Sequence, residues 1–296
     1  MHFDFFGSLW YTENMKELIV DDKYNGKKLN SLLLDTFDGL SLNVLYKALR
    51  KKDIRVNDVR MNENVIIHTG DHIKVYIADE LLEKNSHFEI DIIYEDEHIC
   101  VVNKPTGIEV TGANSLTTLL EKSYTFIKPC HRLDRNTTGL VLFAKDGETL
   151  DILLDKFKNH EIEKHYTAKV IGIPTKKQAT LTAYLFKDAK KSLVYISDTP
   201  KKGYEKIMTS YQVVKENKKE NTSILDVILH TGKTHQIRAH LAHIGYPILG
   251  DGKYGNNEIN KKFGFKVQQL TSCSLTFHFK GENGILSYLN GKSISL

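Results

Sequence analysis

A dense group of charged residues precedes an apolar run near the middle of the chain. One carboxylate, Asp134, stands among His131, Arg132 and Arg135, and residues 140–144 follow as an apolar strand. Charged side chains in a turn beside a rigid element are typical of a functional site. A carboxylate in such a turn can act as a nucleophile or as a general base.

A second segment, residues 230–247, supplies a candidate partner for that carboxylate. Thr234 is predicted to cap a helix that ends at Gly245. His235 and Arg238 are three residues apart and are therefore predicted to share a helix face. A guanidinium presented in this way could meet a carboxylate.

Three histidines of the same segment, His235, His240 and His243, also suggest a metal site. However, His235 and His240 are five residues apart and do not stack on one helical face. No HExxH pattern or carboxylate pair accompanies them. We therefore predict no metal and no cofactor.

Length and composition predict two domains in the cytoplasm. The chain has 296 residues, 41% of them hydrophobic, which exceeds the usual single-domain size of roughly 100–150 residues. Its net charge of +4 suits a polyanionic partner. The three cysteines form no CxxC pair, the N-terminal residues show no basic segment followed by an apolar core, and no apolar run reaches membrane-spanning length. We expect a monomer with no membrane segment.

Residues 1–80 are predicted to hold an N-terminal extension and a small domain of its own. Leucines recur at helical spacing from Leu29, and a second helix follows Ser41 as N-cap. Residues 54–57 and 73–77 alternate as strands, joined by a turn at 69–71. Residues 47–60 carry six basic and two acidic side chains, which either solvate a helix end or bind phosphates. The polar stretch 81–88 is predicted to be a linker.

Residues 89–296 are predicted to form one α+β domain. Asp146 is a candidate N-cap for a helix, and alternating patterns predict strands in several places. These strands fall at residues 90–94, 99–103, 164–172, 181–186, 193–197, 207–214 and 224–229. Turn-rich links between them favour a mixed, mainly antiparallel sheet with flanking helices.

Taken together, the motifs resemble two known families. Residues 27–77, with their two helices and basic turn, resemble the S4 RNA-binding domain. Asn103-Lys104-Pro105, His131-Arg132-Leu133-Asp134, Lys164-His165-Tyr166 and Thr231–Arg238 resemble, in order and spacing, the RluA-type RNA pseudouridine synthases. Lys233 and Thr138 depart from that pattern, where arginine and serine are common.

The second resemblance implies a reaction and three catalytic residues. The enzymes of this family detach uracil from C1′ of a uridine in RNA, turn it and rejoin it through C5, without a cofactor. Asp134 is the implied catalytic carboxylate, attacking C1′ or taking the C2′ proton. Arg238 is its implied partner, keeping the acid ionised in a pocket closed by a flipped base. Tyr166 is the implied stacking residue, although a tyrosine in an alternating strand is ordinarily a core residue.

The resemblance also implies RNA contacts, from residues Arg132, His131, Lys233 and His235 near the pocket and Lys47, Arg50, Lys51 and Lys52 in the S4-like unit. His131 can alternatively support the loop, and Arg132 can pair with a nearby acid. Ribosomal RNA is the expected substrate, with transfer RNA as the other possibility. Two competing hypotheses remain: an RNA-binding or chaperone protein of the same fold without activity, and a metal-dependent hydrolase.

Overall fold

The computed structural model describes residues 15–82 and 90–296 and divides the chain into two compact units, residues 1–89 and 90–296. Leu81 and Leu82, assigned to the linker from the sequence, instead end a short helix, and Leu82 is buried in the core of the first unit. The rest of the predicted linker, residues 83–88, and residues 1–14 lie outside the described residues.

The first unit packs two helices on a small sheet. Its elements are β1 (Lys16–Ile19), a 3-10 helix (Asp22–Tyr24), α1 (Leu29–Thr36), α2 (Leu42–Lys51), β2 (Ile54–Val56), β3 (Val59–Met61), β4 (His72–Val75) and α3 (Asp79–Leu82). The sheet order is β1-β4-β2-β3. Ser41 caps α2 by accepting a hydrogen bond from the backbone N–H of Val44 at 3.3 Å, as its position predicts.

Two strands of this unit escape prediction. β3 intervenes between the two predicted strands, so the turn at 69–71 does not join them directly. Val59 and Arg60 of β3 are exposed, and β1 buries only alternate residues in part. Short edge strands with little burial give no apolar pattern to read.

The second unit is built on one long, mixed sheet. Its elements are β5 (Asp91–Glu95), β6 (Ile99–Lys104), α4 (Leu116–Leu120), β7 (Lys128–Pro129), β8 (Thr138–Ala144), α5 (Gly147–Lys158), β9 (Ile162–Ile171), β10 (Gln178–Asp188), β11 (Leu193–Ser197), β12 (Glu205–Asn217), β13 (Thr222–Leu229), α6 (Gln236–His243), α7 (Asn257–Lys262), β14 (Leu270–Phe277), a 3-10 helix (Gly284–Leu289) and β15 (Ser293–Ser295). The order is β11-β10-β12-β13-β9-β14-β8-β6-β5, with β15 beside β14 and β7 beside β8.

The pairings in this sheet are antiparallel except where β14 meets β8. A mixed, mainly antiparallel sheet with a few helices is therefore the correct prediction. β8 is buried on both faces: Val141 and Phe143 enter one core with α4 and α6, while Leu140 and Leu142 enter another with α5. This strand gives a rigid base to the charged turn that precedes it.

Gly139 permits the close approach of β8 to β14. Its φ is +106°, and a Cβ at this position would lie 2.1 Å from the carbonyl oxygen of Ser272. Any side chain here would push the two strands apart. Within residues 15–82 and 90–296, the structure has no helix long and apolar enough to cross a membrane.

Candidate active site

The loop that carries Asp134 connects β7 to β8 and is fixed along its length. The backbone N–H of Thr137 donates to the carbonyl of Asp134 at 3.0 Å, closing a turn. Leu133 is buried in the core, and the Thr137 hydroxyl accepts a hydrogen bond from Gln268 at 2.6 Å. Asp134 itself is partly exposed, with 26% of its side chain accessible. The loop thus presents the carboxylate to solvent from a rigid base.

Lys104, at the end of β6, stabilises this loop through hydrogen bonds. Its side chain is 0% exposed, and its ammonium donates to the carbonyls of Pro105, Ile108 and Arg135 at 2.8, 2.9 and 3.1 Å. Burial lowers the pKa of Lys104 to about 8, and the nearby charge of Asp134 opposes that shift. The group therefore remains an ammonium at neutral pH, with three N–H donors for three carbonyls.

Replacing Lys104 with methionine is expected to lower the free energy of unfolding by about 3 kcal/mol, because the buried carbonyls lose their donor. Any reaction at Asp134 should slow as well, since the loop that carries this residue loses its support. Urea unfolding and the initial rate of that reaction measure the two effects. The exposed Lys122 offers a matched control: K122M should leave both quantities unchanged. Equal stability of K104M and K122M would contradict the supporting role.

Asp134 and Arg238 lie in direct contact, as the sequence predicts. Nη1 of Arg238 donates to Oδ2 of Asp134 at 2.8 Å. The other side of the same guanidinium grips Asp251, with Nε and Nη2 donating to its two oxygens at 2.7 and 3.0 Å. This bidentate pair fixes the plane of the guanidinium and aims its remaining nitrogen at Asp134.

Asp251 is 0% exposed, so its ionisation depends on this pairing. Burial alone would raise the pKa of Asp251, but hydrogen bonds from Arg238 and its positive charge hold the pKa below the usual range. The backbone N–H groups of Lys253 and Tyr254 also donate to it, at 2.8 and 3.1 Å. Asp251 is therefore an anion at neutral pH, and it orients Arg238.

The helix that carries Arg238 begins later than predicted. α6 starts at Gln236, and its N-cap is His235 rather than Thr234. His235 adopts a left-handed backbone conformation with φ of +53°, which is uncommon outside glycine. His235 and Arg238 thus reach Asp134 from a helix start and from the helix itself, and not from one helical face.

Gln236 explains how this tight helix start is held. Its side-chain oxygen accepts from the hydroxyl of Thr231 and the backbone N–H of Lys233, at 2.9 and 3.1 Å. Its amide nitrogen donates to the carbonyl of Met208 and the hydroxyl of Thr209, at 3.1 and 3.0 Å. The buried amide therefore ties residues 231–235 to β12.

His235 completes the surroundings of the carboxylate. Its Nε2 lies 3.9 Å from Oδ2 of Asp134, and its Nδ1 lies 2.8 Å from the hydroxyl of Tyr254. Burial lowers the pKa of His235, so the ring is neutral at neutral pH. The hydroxyl of Tyr254 accepts from the backbone N–H of Val194 at 2.9 Å, which leaves its proton for Nδ1 of His235. The neutral ring of His235 is then the Nε2–H tautomer, and this N–H group faces Asp134.

Tyr166 lies in β9 beside the same cavity. It is buried and pairs across the sheet with Val227 of β13 and Ser272 of β14. Burial raises the pKa of Tyr166, so its hydroxyl keeps its proton at neutral pH. Tyr166 therefore belongs both to the core and to the wall of the cavity. Its position is compatible with both sequence interpretations, a core residue and a residue of the active site.

These residues enclose a cavity of about 260 Å³. Its lining consists of His131, Arg132, Leu133, Asp134, Thr137, Lys164, Tyr166, Leu229, Gly232, Lys233, His235, Gln236, Ile237, Arg238 and Leu270. The cavity unites three of the four sequence motifs around one carboxylate, while the fourth supplies Lys104 beneath it. Residues 15–82 and 90–296 contain no His, Cys, Asp and Glu cluster suited to a metal ion.

The predicted RNA contacts near the cavity differ in their surroundings. Arg132 is exposed beside Asp134. His131 instead packs on Phe157, with ring centroids 5.0 Å apart, and its Nε2 accepts from the backbone N–H of Leu142 at 3.1 Å. Burial lowers the pKa of His131 to about 3. This geometry favours the alternative role of supporting the loop. Lys233 pairs with Glu205 at the cavity rim.

The predicted RNA contacts of the first unit share one exposed region. Lys47, Arg50 and Lys51 lie on α2, and Lys52 forms its C-cap with φ of +62°. All four side chains are exposed. They therefore form a positively charged, solvent-exposed group toward the C-terminal end of α2.

Sequence reasoning missed the supporting residues Asp251, Tyr254, Lys104 and Lys164 as members of the site. Asp251 and Tyr254 lie in a loop whose sequence, Gly250-Asp251-Gly252-Lys253-Tyr254, reads as an ordinary turn. Lys104 and Lys164 stand inside segments already singled out. Lys164 lines the cavity, and only the burial of Lys104 reveals that it supports the Asp134 loop. One signal for a second acid partner of Arg238 was available in the sequence. A buried guanidinium has five N–H donors and ordinarily needs more acceptors than the one predicted carboxylate provides.

Known proteins resemble this chain in sequence and in fold. The profile of the RNA pseudouridylate synthase family matches residues 98–243. An uncharacterized RNA pseudouridine synthase of Bacillus subtilis (strain 168), YhcT, is 30% identical over 254 residues, covering 81% of this chain and 82% of the relative. Ribosomal large subunit pseudouridine synthase C of Buchnera aphidicola subsp. Baizongia pistaciae (strain Bp) is 28% identical over 291 residues, 91% of each chain.

A solved structure shows the same fold. Human RNA pseudouridylate synthase domain containing 1 superposes with a TM-score of 0.58 at 22% identity, over 68% of this chain and 83% of that one. The match with the family profile includes the Asp134 loop, Tyr166 and Arg238. On its sequence, its fold and the residues around its cavity, the chain belongs to the RNA pseudouridine synthases, isomerases that convert uridine in RNA to pseudouridine.

Proposed function

We propose that this enzyme modifies uridines of large-subunit ribosomal RNA and that Asp134 is its reacting carboxylate. One observation carries the assignment of Asp134: it is the carboxylate at the cavity, held at 2.8 Å by an arginine that a second, buried carboxylate orients. Relatives of similar length named for the ribosomal large subunit support the choice of RNA. Transfer RNA is the alternative substrate.

The proposed reaction needs three groups at the cavity. The N1–C1′ bond of the target uridine breaks, the uracil turns, and a C5–C1′ bond forms as C5 loses a proton and N1 regains one. Asp134 attacks C1′ or removes the C2′ proton, and Arg238 keeps it ionised when the base excludes water. Tyr166 stacks on the uracil, and its hydroxyl assists the loss of the C5 proton. Arg132, exposed beside Asp134, contacts the RNA backbone.

Incubation of the purified protein with ribosomal RNA transcripts in the presence of a chelator tests this proposal. Formation of pseudouridine without added metal is the expected result, because no step of the proposed reaction requires an ion. An inactive RNA-binding protein and a metal-dependent hydrolase would both leave the uridines unchanged, and the hydrolase would cleave RNA once metal is restored. A cytoplasmic location and a monomeric state belong to the same proposal.

The first unit is proposed to act as an S4-like RNA-binding domain. Its two helices and four-stranded sheet, with the exposed basic side chains of α2, support this assignment. An excess of cations on one helix end is suited to phosphates.

Alanine substitution of Lys47, Arg50, Lys51 and Lys52 together should weaken RNA binding and flatten its salt dependence. Each lost phosphate contact lowers the slope of log affinity against log salt by about 0.7–0.9. Filter binding across a salt series measures the slope. Lys27 and Lys28 of the same unit are also exposed, and K27A/K28A is the control. An unchanged slope in the fourfold variant would exclude this surface from RNA binding.

A further inference from the structure

Three aromatic side chains form a cluster at the edge of the second unit, here named the aromatic platform: the exposed Phe186 and Tyr195 and the half-buried Tyr204. Phe186 and Tyr204 stack, with ring centroids 5.4 Å apart and an interplanar angle of 27°. Phe186 is 37% exposed and Tyr195 is 40% exposed. Exposed, preordered aromatic rings are the surfaces on which unpaired bases stack.

The strand register shows that the platform is not part of a core. Phe186 of β10 lies opposite Tyr195 of the edge strand β11. Their neighbours Leu185 and Val194 point to the other face, where they are buried with Ala239 of α6. Because side chains alternate along a strand, the rings of Phe186 and Tyr195 occupy the face away from α6, and Tyr204 stacks on Phe186.

The chain segment that carries Tyr195 and Tyr204 is rich in lysine. Residues 187–206 include six exposed lysines, Lys187, Lys190, Lys191, Lys201, Lys202 and Lys206. In the described parts of the chain, none of them forms an ion pair, and the ammonium of Lys201 lies 5.8 Å from the ring centre of Tyr204.

The three acids of the same segment are engaged with other groups. Asp198 pairs with His243, Glu205 pairs with Lys233, and Asp188 accepts from the backbone N–H of Lys191. With six lysines against three acids, residues 187–206 carry a net positive charge, which is complementary to a polyanion.

The platform is physically connected to the cavity. Val194, next to Tyr195, donates to the hydroxyl of Tyr254, which contacts His235 beside Asp134. Glu205, next to Tyr204, pairs with Lys233 at the cavity rim. The register places Glu205 at the same end of the sheet as the loop after β13, because Thr209 pairs with Leu229.

We propose that the aromatic platform binds an unpaired stretch of the substrate RNA next to the target uridine, by base stacking on the rings and phosphate contacts to the lysines of residues 187–206. Aromatic rings with cations at their margins match the two components of a single-stranded nucleic acid. The inference rests on the proposed function for the identity of the RNA, but its binding step can be measured without turnover.

Fluorescence anisotropy with a labelled oligoadenylate tests the platform in the full chain. F186A/Y204A should bind about tenfold more weakly, since base–aromatic stacking contributes at this scale. Y204F should bind as the wild type does, because it keeps the ring. V214A is the control, since Val214 is an exposed apolar residue on the other half of β12.

The lysines provide a second, independent variant. K201A/K202A should lower the salt slope of binding by about 0.7 for each lost contact, as expected for single strands. Lys218 and Lys219, exposed in the turn between β12 and β13, are the matched control, and K218A/K219A should leave the slope unchanged. Thermal melting checks that each variant is folded.

Binding of F186A/Y204A within twofold of the wild type, or equal losses in V214A, would overturn the proposal. Equal losses in Y204F would also overturn it, because the hydroxyl and not the ring would then bind. If the wild type binds the probe but forms no pseudouridine, the proposed function fails and the platform stands. If it forms pseudouridine and F186A/Y204A has an unchanged KM, the platform alone fails.

Discussion

Replacing Asp134 with asparagine is expected to lower the rate of pseudouridine formation by at least about a thousandfold. The amide keeps the shape of the side chain but can neither attack C1′ nor accept the C2′ proton. RNA affinity should stay within about tenfold of the wild type, because the carboxylate contributes to the reaction rather than to docking. Single-turnover assays on ribosomal RNA transcripts, with binding measured in parallel, give both quantities.

Asp198 offers a matched control for this variant. It is another carboxylate paired with α6, through His243, but its side chain is 81% exposed and lies outside the cavity lining. D198N should therefore retain the wild-type rate. A D134N enzyme with more than a tenth of the wild-type rate would remove Asp134 from the reaction, and a complete loss of binding would assign it to docking instead.

Replacing Arg238 with methionine should damage both stability and activity. Asp251 would remain as a buried charge without its partner, which costs about 3–5 kcal/mol of unfolding free energy. Asp134 would lose its orientation at the same time, so activity should fall to background. Urea unfolding and the assay described for Asp134 measure the two losses. The pair R238M/D251N should recover part of the stability, since it removes the unpaired charge, but none of the activity.

The stability loss in R238M should depend on pH in a defined direction. In the wild type the pKa of Asp251 lies below its usual range, so its contribution to stability is present above about pH 4 and is lost as pH falls through the lowered pKa. In R238M only the backbone N–H groups of Lys253 and Tyr254 still offset burial, so the pKa of Asp251 rises. The folded variant then takes up a proton as pH falls, and the difference from the wild type should shrink toward acid pH. A constant difference from pH 7 to pH 4 would contradict the account of this pair.

The sequence predicts the residues that line the cavity better than the residues that hold them in place. Asp134, Tyr166 and Arg238 belong to motifs with strong family resemblance, and the structure places them around one cavity. Asp251 and Lys104 act through burial and through acceptors brought together from distant parts of the chain. No local sequence pattern encodes such contacts, because they form only when distant parts of the chain fold together.

Local structure follows a similar division. The helices after Ser41 and Asp146 begin where their capping residues predict. The start of α6 differs from the prediction. The side chain of Gln236 holds the preceding loop, and His235, in a left-handed conformation, is the N-cap instead of Thr234. β1 and β3 carry too little buried surface for an alternating pattern. Leu82 of α3 is buried in the core of the first unit. The polar residues that follow it in the sequence give no sign of this contact.

Mapping of pseudouridines in total RNA tests the central claim most directly. Cells lacking the gene would be compared with the same cells supplied with the wild type or with D134N. We expect that a defined set of sites in large-subunit ribosomal RNA disappears on deletion, returns with the wild type and stays absent with D134N. Return of those sites with D134N would contradict the claim that this carboxylate carries out the reaction.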